Sequence, residues 1–354
     1  MRRLSIGLFI AALIAFIGNA AAQTGGPEVP LSQKEAIEAA TQGDLTKALE
    51  LLKNAAASGD ADANLGIAEF YRTGAGVEAS LTEALPYYEA AADGGNATAL
   101  LRLGEIFLLG ADGIEKDEDR GKFYFEASAD AGDARASNVL GQLVEQQANE
   151  ADALPDRERL FERARAHFLK GAEAGIPDSQ FFYARLLANG QGGTKDIPAA
   201  MEWLEKSALS GNARAMSDLG TRYQEGNGVE TNMAAALGWF LAGAERGSLP
   251  AMTNLGLCYA NGFGVPQNFD RAGTWYSKAS KQNYAPAQFL IGQLFENGQG
   301  TEKNPVFAYV NYHRAAANGF TAAAAPRDAL AKELTPEQLA EADKILKPGA
   351  IEGE

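Results

Sequence analysis

The chain has 354 residues, with 31 basic and 46 acidic side chains and a net charge of −15 at neutral pH. That balance disfavours nucleic acid and anionic membrane surfaces as partners, since both repel an acidic protein. A single cysteine, Cys258, allows no internal disulfide, and two histidines, His167 and His313, provide no clustered ligand set for a metal.

Residues 1–22 have the three-part layout of a cleavable secretory signal: Arg2 and Arg3, an apolar run from Leu4 to Ile17, then Ala20-Ala21-Ala22 before Gln23. The expectation is an exported protein, periplasmic or secreted. The apolar run is short for a membrane span, so no stable insertion is expected after cleavage. Without Arg2 and Arg3 the chain keeps 29 basic against 46 acidic side chains, or −17. Residues 23–32, with Pro27 and Pro30, read as a flexible leader. In residues 33–59, Ala48, Leu51, Leu52, Ala55 and Ala56 fall on helical spacing after a Gly43-Asp44 turn, which predicts a capping helix pair with a shortened first member.

From residue 60 to 319 the sequence repeats. Gly190-Gln191-Gly192-Gly193, Gly226-Asn227-Gly228-Val229, Gly262-Phe263-Gly264-Val265 and Gly298-Gln299-Gly300-Thr301 start 36 residues apart. Upstream of three of them runs an Ala-x3-Leu-Gly-x2-Tyr pattern: Ala215, Leu219, Gly220 and Tyr223; Ala251, Leu255, Gly256 and Tyr259; and Ala287, Ile291, Gly292 and Phe295. Downstream an alanine precedes an aromatic pair, as in Ala236 with Trp239-Phe240 and Ala272 with Trp275-Tyr276. Spacings of three and four put each set on one helical stripe, so each unit reads as two amphipathic helices, A and B, joined by a glycine loop. Gly226 or Gly228 supplies the positive φ that ends helix A. Asp196, Asn232, Asn268 and Asn304 stand as N-caps of helix B, with Ser80 and Asp117 in the same place earlier and a capping box expected between Ser80 and Glu83. Gly220, Gly256 and Gly292 allow close approach of the paired helices. A period of this length predicts an all-α fold, an α/α solenoid or superhelix.

These motifs resemble the Sel1-like repeats, relatives of the tetratricopeptide repeat. Seven units are counted, at 60–95, 96–132, 133–175, 176–211, 212–247, 248–283 and 284–319. The third keeps Leu140-Gly141 and Ala164-x2-His167-Phe168 but lacks the glycine loop and carries an acidic insertion around Glu145 to Asp156, followed by Arg157, Arg159, Arg163 and Arg165. Residues 320–346 are expected to cap the array, with Thr335 as N-cap and Pro336 opening a last helix through Leu346, and 347–354 to be a disordered tail.

No catalytic residue, cofactor or metal is expected. His167 takes the first aromatic place of helix B, equivalent to Trp203, Trp239 and Trp275, and reads as packing; Cys258 reads as a small core hydrophobe. Gly190 to Lys195 lacks the spacing of a phosphate loop. What remains is surface. By the tetratricopeptide analogy, helix-A positions that vary in register line the concave groove, and the residues nominated to bind a protein partner there are Arg135, Asn138, Gln142, Phe181, Arg185, Arg214, Ser217, Thr253 and Phe289. Aromatic and arginine side chains are the types enriched at interface hot spots. The resemblance implies an adaptor or regulator of cell-envelope processes, with an envelope hydrolase directed at peptidoglycan or a β-lactam, or a secreted factor binding host proteins, as alternatives.

Overall fold

The computed structural model describes residues 31–347 except residue 112. The expected signal peptide, the leader up to residue 30 and tail residues 348–354 lie outside the described residues. Among those described, every regular element is helical, and none of the helices is long and apolar enough to cross a membrane.

The chain divides into two compact units, with the division between Ile176 and Pro177. The first unit contains α1 (Leu31–Thr41), α2 (Leu45–Ala56), α3 (Ala61–Thr73), α4 (Leu81–Asp93), α5 (Ala97–Leu109), α6 (Glu118–Asp130), α7 (Ala134–Glu150) and α8 (Leu154–Glu173). The second contains α9 (Pro177–Asn189), α10 (Ile197–Leu209), α11 (Ala213–Glu225), α12 (Met233–Glu245), α13 (Leu249–Asn261), α14 (Phe269–Ser280), α15 (Ala285–Asn297), α16 (Pro305–Ala317), α17 (Ala324–Glu333) and α18 (Pro336–Leu346). Within each unit, consecutive helices pack in pairs and each pair packs on the next, as in an α/α solenoid.

The α11–α12 pair shows why this sequence folds this way. Asn212 caps α11, accepting from the backbone of Arg214 and Ala215. Gly226, at φ +74°, ends it and returns its N–H to the Arg222 carbonyl. Gly228, at φ +84°, has a second reason to be glycine: a Cβ there would lie 2.6 Å from Ile197 Cγ2 of the preceding repeat. The Asn232 side chain then caps α12 through the Ala235 N–H, while its backbone N–H donates to the Tyr223 carbonyl at 2.8 Å. The same loop-closing bond recurs from Ser80 to Tyr71, Asp117 to Phe107, Asp196 to Leu187, Asn268 to Tyr259 and Asn304 to Phe295. It fixes the loop and hence the period. All six expected helix-B caps form. Only half of the expected Ser80 capping box does, because the Ser80 N–H is already committed to Tyr71.

Between the helices of a pair, a missing Cβ faces a ring. A Cβ on Gly220, Gly256 or Gly292 would come within 2.6, 2.4 and 2.7 Å of Phe240, Tyr276 and Tyr312. Gly104 and Gly141 face Phe125 and Phe168 in the same way. Where helix A has Ala184 instead, helix B has the smaller Leu204. The deeply packed aromatic is therefore the second of each pair. Phe240 is fully buried and Trp239 only half-buried.

The third repeat departs by elongation. Its helices α7 and α8 have 17 and 20 residues, where those of the neighbouring α5–α6 pair have 13 each, so the acidic insertion is mostly added helix. At the C-terminal end Thr335 and Gln338 form a reciprocal capping box with Pro336 in the first turn of α18, and α17 is a helix that the alanine-rich sequence did not disclose.

Candidate functional site

The helix-A residues nominated as a binding groove separate by burial. In the first unit Arg135 is held in place: its guanidinium pairs with Asp133 and donates to Thr98 Oγ1 at 3.1 Å. Asn138 is half-buried and Gln142 exposed. In the second unit Phe181 is half-buried, edge-on to Phe182 and packed against the core of Ala184, Leu204 and Leu219. The Arg185 guanidinium lies 5.1 Å from the Phe182 ring centroid, in the range of a cation–π contact. Arg214 is exposed. Ser217 and Thr253 are buried, and Thr253 Oγ1 donates to the Leu249 carbonyl, so neither hydroxyl is presented to a partner.

A feature of the helix-A starts explains where a groove does open. The second helical position reads Asp62, Thr98, Arg135, Asp178, Arg214, Pro250 and Pro286 along the repeats. Early in the series these side chains tie neighbouring repeats: Asn96 Nδ2 donates to Asp62 at 2.7 Å, and Asn212 Nδ2 to Asp178 at 2.7 Å. Proline can make no such bond. Where Pro250 and Pro286 replace the polar residues, a mostly apolar cavity of about 410 Å³ lies between α13 and α15, floored by Thr253, Leu257, Phe289 and Leu290 and bounded by Tyr284 and Phe320. Phe289 stands 5.1 Å from Phe320 and 5.4 Å from Tyr312, ring centre to ring centre. Of the nominated residues, the structure thus brings Thr253 and Phe289 together in one cavity. The sequence signal for it was the pair of prolines in register with Asp178 and Arg214.

A second cavity, of about 230 Å³, lies in the first unit among α6, α7 and α8, lined by Lys122, Glu126, Leu140, Leu143, Val144, Gln147, Arg163 and His167. Burial, then the charge of Arg163, holds the His167 imidazole below its usual range. In the other unit His313 is half-buried 6.0 Å from Tyr309, and its Nδ1 has no hydrogen-bond partner among the described residues. Cys258 is buried, and burial pushes its thiol up to about 11, which suits a core residue. No group of three or more His, Cys, Asp or Glu side chains among the described residues could hold a metal ion.

The structure also contains a buried polar cluster that sequence reasoning missed. Glu69, 3% exposed, accepts from the Tyr88 hydroxyl at 2.8 Å and from Arg72, with Arg102 3.6 Å away. Tyr312 repeats the motif with Glu296. The hydroxyls of Tyr88 and Tyr312, both at the second aromatic place, each find their acceptor in a glutamate on helix A.

The Sel1 repeat family model matches residues 39–60, 59–96, 97–133, 155–176, 177–212, 213–248, 249–284 and 285–320. The chain belongs to the Sel1 repeat family. One match, over 39–60, falls in the segment expected to be a cap, and the unmatched residues 134–154 cover the elongated α7. The Sel1 repeat is a scaffold that typically mediates protein–protein interactions. A stretch of 73 residues is 33% identical to the exopolysaccharide production negative regulator of Rhizobium meliloti (strain 1021); it is 20% of this chain and spans about a quarter (27%) of that regulator. Among solved structures, a Sel1 repeat protein from Oxalobacter formigenes superposes with a TM-score of 0.63 at 24% identity over 94% of each chain. A protective antigen of uropathogenic Escherichia coli with the same repeat fold gives a TM-score of 0.36 at 22% identity, over 96% of this chain and 83% of the antigen.

Proposed function

We propose that this Sel1 repeat protein is an exported, periplasmic, non-catalytic adaptor or regulator of a cell-envelope process. It holds an extended segment of a protein partner against the helix-A face of its C-terminal repeats. The observation that carries this reading is the cavity between α13 and α15: prolines, aromatic rings and leucines at one open site, with no inter-repeat side-chain bond across it to be broken. Aromatic-lined grooves of this kind suit an extended chain that inserts apolar side chains. The relative that acts as a negative regulator of exopolysaccharide production supports a regulatory role over a catalytic one. Export rests on Arg2-Arg3, the apolar run and Ala20-Ala21-Ala22.

Crosslinked capture from the periplasmic fraction tests the proposal. The wild-type chain should retain a stoichiometric partner, and Leu290→Glu, at a half-buried wall of the cavity, should lose it while keeping its melting temperature. Hydrolysis of peptidoglycan or a β-lactam by the purified protein, abolished by one carboxylate substitution, would replace the adaptor reading with a hydrolase. For export, the intact mass of the mature protein should begin at Gln23, and Ala22→Asp should leave precursor in the membrane fraction. Mature protein that retains Met1 would contradict export by cleavage.

A further inference from the structure

The cavity of the third repeat has a chemistry that packing does not require. In three of the other repeats the position of His167 is a tryptophan, and in two of these the lysine three residues on lies over its ring: Lys206 is 4.2 Å from Trp203 and Lys278 is 4.0 Å from Trp275. The third repeat has no indole there. Its register-equivalent lysine, Lys170, donates instead to the Ala129 carbonyl at 2.6 Å. The position of the missing ring borders the cavity of about 230 Å³.

Three helices line it in helical register. Leu140, Leu143 and Val144 of α7 form an apolar floor, and Gln147 stands one turn further on. Lys122 and Glu126 face in from α6, and Arg163 and His167 from α8. Among the described residues neither Lys122 nor Arg163 forms an ion pair. In a chain of net charge −15, this one lining has two cations against one carboxylate, with an imidazole beside them.

We propose that this cavity binds a small monocarboxylate with a branched apolar tail, independently of the groove in the second unit. The carboxylate meets the Arg163 guanidinium, whose planar fork matches it, with Lys122 and His167 as further donors. The tail lies on Leu140, Leu143 and Val144. Glu126 selects for a single negative charge, because a dianion would meet it as a like charge. The volume, below the ~300 Å³ at which drug-sized pockets begin, limits the ligand to a few carbons.

Binding should depend on pH. The groups facing His167 are Arg163 and Lys170 on its own helix, and Glu126, with Lys122 nearby, from α6. Burial and the two cations on α8 favour neutral imidazole; Glu126 acts the other way. A bound carboxylate favours the protonated form, so affinity should rise as pH falls through the ordinary imidazole range and below it.

Titrations of the full chain with 3-methylbutanoate, 3-methylbutylamine and inorganic phosphate, followed by calorimetry and by two-dimensional NMR, test the proposal. The expected result is saturable binding of 3-methylbutanoate alone, tighter at the lower pH. His167→Trp, which introduces the residue that three other repeats have there and fills the cavity, should abolish binding with no loss of melting temperature. Arg163→Gln, at an exposed position, should weaken it about tenfold. The proposal is overturned if 3-methylbutanoate does not saturate, if the amine or phosphate binds equally well, or if folded Arg163→Gln binds as the wild type does. The last variant keeps the test decisive even where His167→Trp fails to fold.

Discussion

The repeat at 212–247 and the repeat at 133–175 are built on the same helix pair but differ in how they treat space. In the first, the opening left by Gly220 is filled by the Phe240 ring, and the half-buried Trp239 stands beside it on helix B. In the second, Gly141 still receives Phe168, yet the covering tryptophan is His167, the glycine loop is gone, and both helices run on past the usual length. The glycine–ring contact between the helices of a pair thus recurs in five repeats, with Ala68 and Ala184 in the glycine's place in two others, while the layer outside it varies. At His167, where that layer changes in the third repeat, a polar cavity opens.

Denaturant unfolding can break this comparison most directly at Phe240. Phe240→Ala should cost about 3–5 kcal/mol, the range for deleting a fully buried aromatic side chain, and Trp239→Ala should cost less. A larger loss at Trp239 would mean the outer layer, not the Gly–ring contact, holds the pair together. Gly220→Ala should destabilise by about 1–3 kcal/mol through overpacking, a cost that outweighs the better helix propensity of alanine. Combining it with Phe240→Leu recreates the Ala184–Leu204 arrangement of another repeat, so the double variant should lose less than the sum of the two. A strictly additive cycle would contradict direct contact between the two positions.

Smaller effects should sharpen the contrast. Tyr312→Phe removes the hydroxyl that Glu296 accepts at 2.5 Å, and should cost about 1 kcal/mol. The smallest is at His167. Its folded-state proton affinity lies below the ordinary value of 6.5, so the unfolded chain binds the proton more readily. The stability this group contributes is complete above that value and is lost as pH falls through it. Solvent exposure of the half-buried ring keeps the effect modest. His167→Phe should therefore flatten the part of the stability profile between about pH 7 and 5.5 that is due to this group. An unchanged profile would mean that the imidazole titrates alike in both states.

The fold was legible because its determinants are local and repeated. Asn232, Gly226 and Gly228 each act within a few residues, and a period exposes them even where one copy is degenerate. The groove was less legible, because burial depends on what the neighbouring repeat contributes. Thr253 looked like a variable surface residue, but its hydroxyl is spent on Leu249 and its side chain forms a cavity floor. Phe289 was identified, though its contact with Phe320 depends on how the chain continues past the last helix pair. The roles of Pro250 and Pro286 are visible only once Asp62–Asn96 and Asp178–Asn212 are seen as bonds between repeats. No local signal marks Glu69 as buried; only the position of Tyr88, whose hydroxyl it accepts, accounts for it.

The central functional claim is that a partner protein is held by the regular C-terminal repeats and not by the irregular third one. Partner capture should therefore be measured side by side for Leu290→Glu and Arg163→Gln, each shown to melt as the wild type does. The account predicts that Leu290→Glu loses the partner and Arg163→Gln keeps it at wild-type affinity. Retention by Leu290→Glu together with loss in Arg163→Gln would contradict it and move the docking surface to the third repeat.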